Sequence, residues 1–78
     1  MSHVPHELHE EFPDAQARIH ALKTTNNHFA RLADRYHELN RSIHRVEAEV
    51  EPTSDDILAD MKKRRLALKD EISAMIAG

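Results

Sequence analysis

Residues 27–50 read NHFARLADRYHELNRSIHRVEAEV, and their spacing decides the fold. The apolar side chains Phe29, Leu32, Tyr36, Leu39, Ile43, Val46 and Val50 recur at alternating intervals of 3 and 4 residues. That is the seam of a helix laying one face along a partner helix. Asn27 is the expected N-cap, because its side-chain oxygen can accept from the free amides of the first turn. Pro52 stops the helix and biases Glu51 away from helical dihedrals. At 1.5 Å per residue the rod is about 35 Å long.

A second stretch opens at Thr53-Ser54-Asp55-Asp56. Thr53 with Asp56 resembles a capping box, and the acidic first turn suits the positive end of the helix dipole. Leu58, Met61, Leu68, Ile72 and Met75 continue the 3/4 spacing, with Arg65 at one seam position and Ile57 and Ile76 at the edges. This helix is expected to run to about Ala77, with a link of about four residues before it. Two helices of similar length on a short link predict an antiparallel hairpin. In it Phe29, Leu32, Tyr36, Leu39, Ile43 and Val46 face Leu58, Met61, Leu68, Ile72 and Met75.

Upstream, Ala15, Ile19 and Leu22 give residues 14–23 an apolar edge. Thr24-Thr25-Asn26-Asn27 then sets poor helix formers in a row. The expectation is a short helix, a break, then the long helix; one continuous helix over 14–50 is the alternative. Residues 1–10 are expected to fray. The reading is all-α: a coiled-coil-like antiparallel hairpin preceded by a short helix. Its domain is 14–78, with helices over 14–23, 28–50 and 54–77, behind a flexible acidic, His-rich head at 1–13.

The whole chain has 78 residues, no cysteine and a net charge of −3. One small domain fits that length, and no disulfide or zinc-cysteine cluster supports it. No apolar run approaches the roughly 18–20 residues of a membrane span, and no basic-then-apolar signal pattern opens the sequence. The lack of cysteine suits a reducing cytoplasm.

The residue pattern itself resembles the YdcH-like family of small bacterial proteins of unknown function. The carriers are His28-Phe29, Leu32, Tyr36-His37, Leu39, Ile43 and Glu47, then Met61-Lys62-Lys63 and Leu66-Ala67-Leu68-Lys69-Asp70-Glu71-Ile72. The resemblance extends over residues 14–77, with Asn27 where many members have proline. It implies a helical hairpin from a proteobacterial cytoplasm, and brings no activity, substrate or catalytic residue.

Catalytic groups are not arranged in this sequence. There is no Gly-rich phosphate loop, nucleophile elbow or His-Glu-x-x-His motif. Asp70 and Glu71 point about 100° apart on a helix and do not cooperate. No enzyme and no cofactor are expected. His3, His6 and His9 repeat every three residues and have ligand chemistry for zinc, nickel or copper. Nothing fixes them in place, so a polar head is the simpler reading and no metal site is assigned. His37 and His44 lie two turns apart, about 10 Å, too far to share one ion.

Two features are candidates for interaction. Lys62, Lys63, Arg64 and Arg65 wrap one turn, and Arg41 and Arg45 add charge on the other helix. This allows nucleic-acid or polyanion binding, against which stand the interleaved Asp34, Glu38, Asp60 and Asp70 and the lack of a stacking aromatic. Leu66 points about 160° from Leu68. It is either an ordinary exposed leucine or a contact for the first helix or a second molecule. The function expected is a small non-catalytic interaction or assembly module. Its partner would be a second copy, as a homodimer, or another helical protein.

Overall fold

The computed structural model describes residues 6–48 and 54–78. Four α-helices occur in these: α1 (Leu8–Glu11), α2 (Gln16–Thr25), α3 (Asn27–Glu47) and α4 (Asp55–Ala77), with a single 3-10 turn at Pro13–Ala15. The helical hairpin and the short helix before it are as the sequence predicts. Three cross-links show the antiparallel register of α3 and α4: Glu47 with Lys62 at 2.9 Å, Asn40 with Arg65 at 2.9 Å, and His28 with Glu71 at 3.2 Å.

The junction of α2 and α3 turns on Asn26. Its backbone is extended (φ −132°, ψ 106°), its N–H donates to Leu22 O at 2.8 Å, and its Oδ1 accepts from Phe29 N at 3.0 Å. Thr24 and Thr25 donate their hydroxyls back to Ala21 O, at 2.9 and 2.7 Å. One residue thus closes one helix and caps the next. The helices are separate, and the cap is Asn26, not the expected Asn27.

Ser54 caps α4, accepting from Ile57 N at 3.2 Å, with Asp55 and Asp56 in the first turn. The expected box used Thr53, which lies outside the described residues, as do Val50 and Pro52. Helix α3 runs to Glu47 with Ala48 as its C-cap, and the expected helix end at Val50 and the short link after it fall outside the described residues.

The core gathers on α3. Phe29, Tyr36 and Ile43 are fully buried, with Leu32, Ala33 and Asn40 close behind. Ala33 and Asn40 fall outside the expected seam, whereas its members Leu39 and Val46 are only half-buried. The buried stripe is rotated because α3 has neighbours on two sides, α4 and the segment before it. On α4, Ile72 is buried; Leu58, Met61, Leu68 and Met75 are half-buried.

That preceding segment, residues 6–25, forms an arm across the hairpin. Leu8 and Ile19 are buried in one cluster with Phe29, Leu32, Ala33, Tyr36 and Ile72, and Phe12, Ala15 and Leu22 pack against it. The expected fraying over 1–10 therefore does not describe residues 6–10. The Tyr36 hydroxyl donates to the His6 carbonyl at 2.5 Å, and His37 Nδ1 lies 2.9 Å from Glu7. Lys69 Nζ lies 3.3 Å from Glu11, and Arg18 Nε donates to Ile76 O at 3.4 Å.

Candidate functional site: an open groove between the long helices

The arm covers only one side of the hairpin. On α3 it meets His37, about 100° round the helix from Tyr36; Arg35 lies about 100° the other way. On α4 it meets Lys69, whereas Arg64 and Ala67 turn toward the far side. There a groove of about 510 Å³ runs between the helices, lined by Arg35, Glu38, Leu39 and Ser42 of α3 and Arg64, Ala67 and Leu68 of α4.

Its floor is apolar for a local reason. Leu39 and Leu68 are seam residues that meet each other's helix but have no third layer above them, so both stay half-buried. Ala67 offers only a methyl group, too small to fill the space. Arg35, Glu38, Ser42 and Arg64 supply a polar rim of both charge signs. Such a trough has the form that takes the apolar stripe of another helix. The sequence seam contained Leu39 and Leu68, but not the fact that one side of it stays open.

The basic residues do not form one surface. Lys62 pairs with Glu47 at 2.9 Å, and Arg64 with Asp60 of its own helix at 2.9 Å. Arg65, half-buried, donates to the buried Asn40 at 2.9 Å, a polar contact between the two helices of the hairpin. Arg45 donates to Ser42 at 3.1 Å. Arg41 and Lys63 are exposed, Arg41 away from α4 and Lys63 about 180° from Ile72. Of the basic candidates, only Arg64 lines the groove. Leu66 is 58% exposed and lies outside the groove, and the arm does not cover it. Ile57, at 54%, is the other large exposed apolar side chain among the described residues.

Electrostatics concentrates where the arm docks. Burial pushes the Tyr36 hydroxyl up to about 12, with Glu11 and Glu7 adding to the shift and Arg65 opposing it. Burial also pushes Glu11 upward, but the hydrogen bonds from His6 and Lys69 outweigh it and leave Glu11 below the usual carboxylate range. The Lys62 hydrogen bond lowers Glu47. Among the described residues no three His, Asp or Glu side chains come together as metal ligands, and His3 lies outside them. Nor, among them, is any helix long and apolar enough to cross a membrane.

No curated protein and no solved structure matches the chain. The model of one family, described as "Protein of unknown function (DUF465)", matches residues 29–76. That span holds all of α3 after Asn27 and His28, and nearly all of α4; the arm lies outside it. Family and groove therefore coincide on the hairpin, and the chain belongs to the DUF465 family, the YdcH-like small helical proteins of unknown function.

Proposed function

We propose that this protein is a non-catalytic interaction module that receives a helix in the groove between α3 and α4. The observation that carries the reading is the open apolar floor of Leu39 and Leu68, with Ala67 on its wall and a polar rim around it, on the one side of the hairpin the arm leaves bare. A helix laid there would complete a layer that the chain itself lacks. The partner is a second copy or another helical protein, in the cytoplasm. The polyanion reading draws less support, because Lys62, Arg64 and Arg65 already have partners within the chain.

A photo-crosslinking amino acid at Ala67, with a control at Ala17, an exposed alanine of α2, tests this in living cells. Crosslinks to a defined helical segment from position 67 and not from 17 are expected. Equal, diffuse labelling from both positions would overturn the reading.

A further inference from the structure

We propose that the occupant of the groove is a second copy of this chain, docked through an antiparallel, two-fold contact of α4 with its counterpart. The inference rests on the reading of the groove as a helix-binding site. Ile57, Asp60, Arg64 and Ala67 follow one another at intervals of 3, 4 and 3 residues, so they form one stripe on α4. That stripe is the outer wall of the groove at its Arg64–Ala67 end.

Its order is self-complementary. An antiparallel copy with its two-fold axis beside residue 62 sets Asp60 opposite Arg64 of the partner, and Arg64 opposite Asp60. The same register sets Ile57 opposite the partner's Ala67, and Ala67 opposite Ile57. Both matches follow from one axis position, because 57 and 67 share their midpoint with 60 and 64.

The pairing is chemically apt at each point. Ile57 is 54% exposed, a large apolar side chain with nothing over it. Ala67 is small and borders the floor of Leu39 and Leu68. Each copy thus offers a knob at one end of the stripe and a hole at the other, the condition for an isologous interface. Asp60 and Arg64 are 2.9 Å apart within one helix and exposed, 58% and 72% for their side chains. Across the axis each keeps its mate and gains the partner's. Two hairpins joined this way make a four-helix bundle with both arms on the outside.

Charge reversal on the full chain tests the geometry. Sedimentation equilibrium on the unaltered protein is expected to give twice the 9.0 kDa chain mass at high protein concentration. Arg64→Asp makes both charged positions acidic, and Asp60→Arg makes both basic. Each variant alone is expected to associate at least about tenfold more weakly, because like charges then meet across the axis. An equimolar mixture of the two, and the double exchange D60R/R64D, are expected to restore association. The double variant also keeps an ion pair within the helix, so loss of folding in a single variant does not mask the result. A monomeric unaltered protein overturns the proposal, as does a dimer indifferent to these reversals or a mixture that fails to associate. A monomer whose position 67 still crosslinks to a helix of another protein would overturn the second copy and leave the groove reading standing.

Discussion

Tyr36 ties the two parts of the molecule together through one hydroxyl. Its ring sits in the core while its O–H reaches the His6 carbonyl at the start of the arm. Tyr36→Phe removes that bond and should cost about 1 kcal/mol, measured by urea unfolding. Its ionisation provides a second readout. The folded value, about 12, lies above the ordinary 10.0. The contribution is therefore whole below pH 10 and is lost as pH rises toward 12, at up to about 1.4 kcal/mol per pH unit. Tyr36→Phe should remove this alkaline slope from the stability profile; an unchanged slope would place its origin elsewhere.

Asn40 and Arg65 form the polar contact inside the hairpin. Arg65 stands out in the sequence as an intruder in the seam, but Asn40 does not. A seam drawn through apolar letters alone skips a buried amide one position past Leu39. Asn40→Ala should cost about 1–3 kcal/mol, since it takes the buried amide acceptor away from the half-buried Arg65 guanidinium. Replacing both Asn40 and Arg65 with leucine should recover most of that loss, because donor and acceptor then leave together and no unmatched polar group remains. Chemical denaturation of the three chains tests it, and a double variant no more stable than Asn40→Ala would count against the pair.

At the scale of elements, the long helices were legible because 3/4 spacing is sustained for several turns and each has an acid- or amide-rich start. Their ends were less so. Asn26 and Asn27 carry the same cap chemistry, as do Thr53 and Ser54, and only the path of the backbone chooses between neighbours. The burial within the seam also differs from its letters, because helix α3 serves two neighbours and α4 mainly one. Ile43→Ala should accordingly cost about 2–5 kcal/mol and Leu39→Ala less, despite their shared place in the pattern. Equal costs in thermal unfolding would mean the groove is closed over Leu39.

The start of the arm, residues 6–12, was the piece the sequence concealed, whereas its helix over Ala15, Ile19 and Leu22 was legible. Leu8, Phe12, Ala15, Ile19 and Leu22 keep intervals of 4, 3, 4 and 3 residues, the same signal as the long helices. Pro13 interrupts the helix in the middle of it, and a run of acidic and histidine residues looks like a solvated tail. The structure passes Pro13 with a 3-10 turn and retains the stripe. Glu7 and Glu11, four apart, find His37 and Lys69. Glu11 is held below its ordinary 4.5, so its contribution is present above that value and is lost as pH falls. Acid should loosen the arm before the hairpin, seen as exchange of α1 and α2 amides ahead of those of α3. Uniform exchange along the chain would contradict that order.

At the scale of the whole molecule, a small chain without cysteine divides its hairpin into two unlike sides. One is closed by the arm, with Ala33 beneath it at 3% exposure. The other is the groove, with Ala67 on its wall. The first side was legible in part, through Ala15, Ile19 and Leu22, while Pro13 hid the share of Leu8 and Phe12. The second was hidden because openness belongs to the assembly of helices and not to any one of them. The matched family span stops short of the arm, so the asymmetry joins the family's hairpin to a segment beyond it.

The absence of native cysteine permits a direct measurement of that asymmetry. Single-cysteine chains Ala33→Cys and Ala67→Cys, each at high dilution, are labelled with a small thiol reagent and their rates compared with those in denaturant. Strong protection is expected at position 33 and near-unfolded reactivity at position 67. Similar rates at both positions, or protection at 67 in the dilute chain, would contradict a hairpin closed on one side and open on the other.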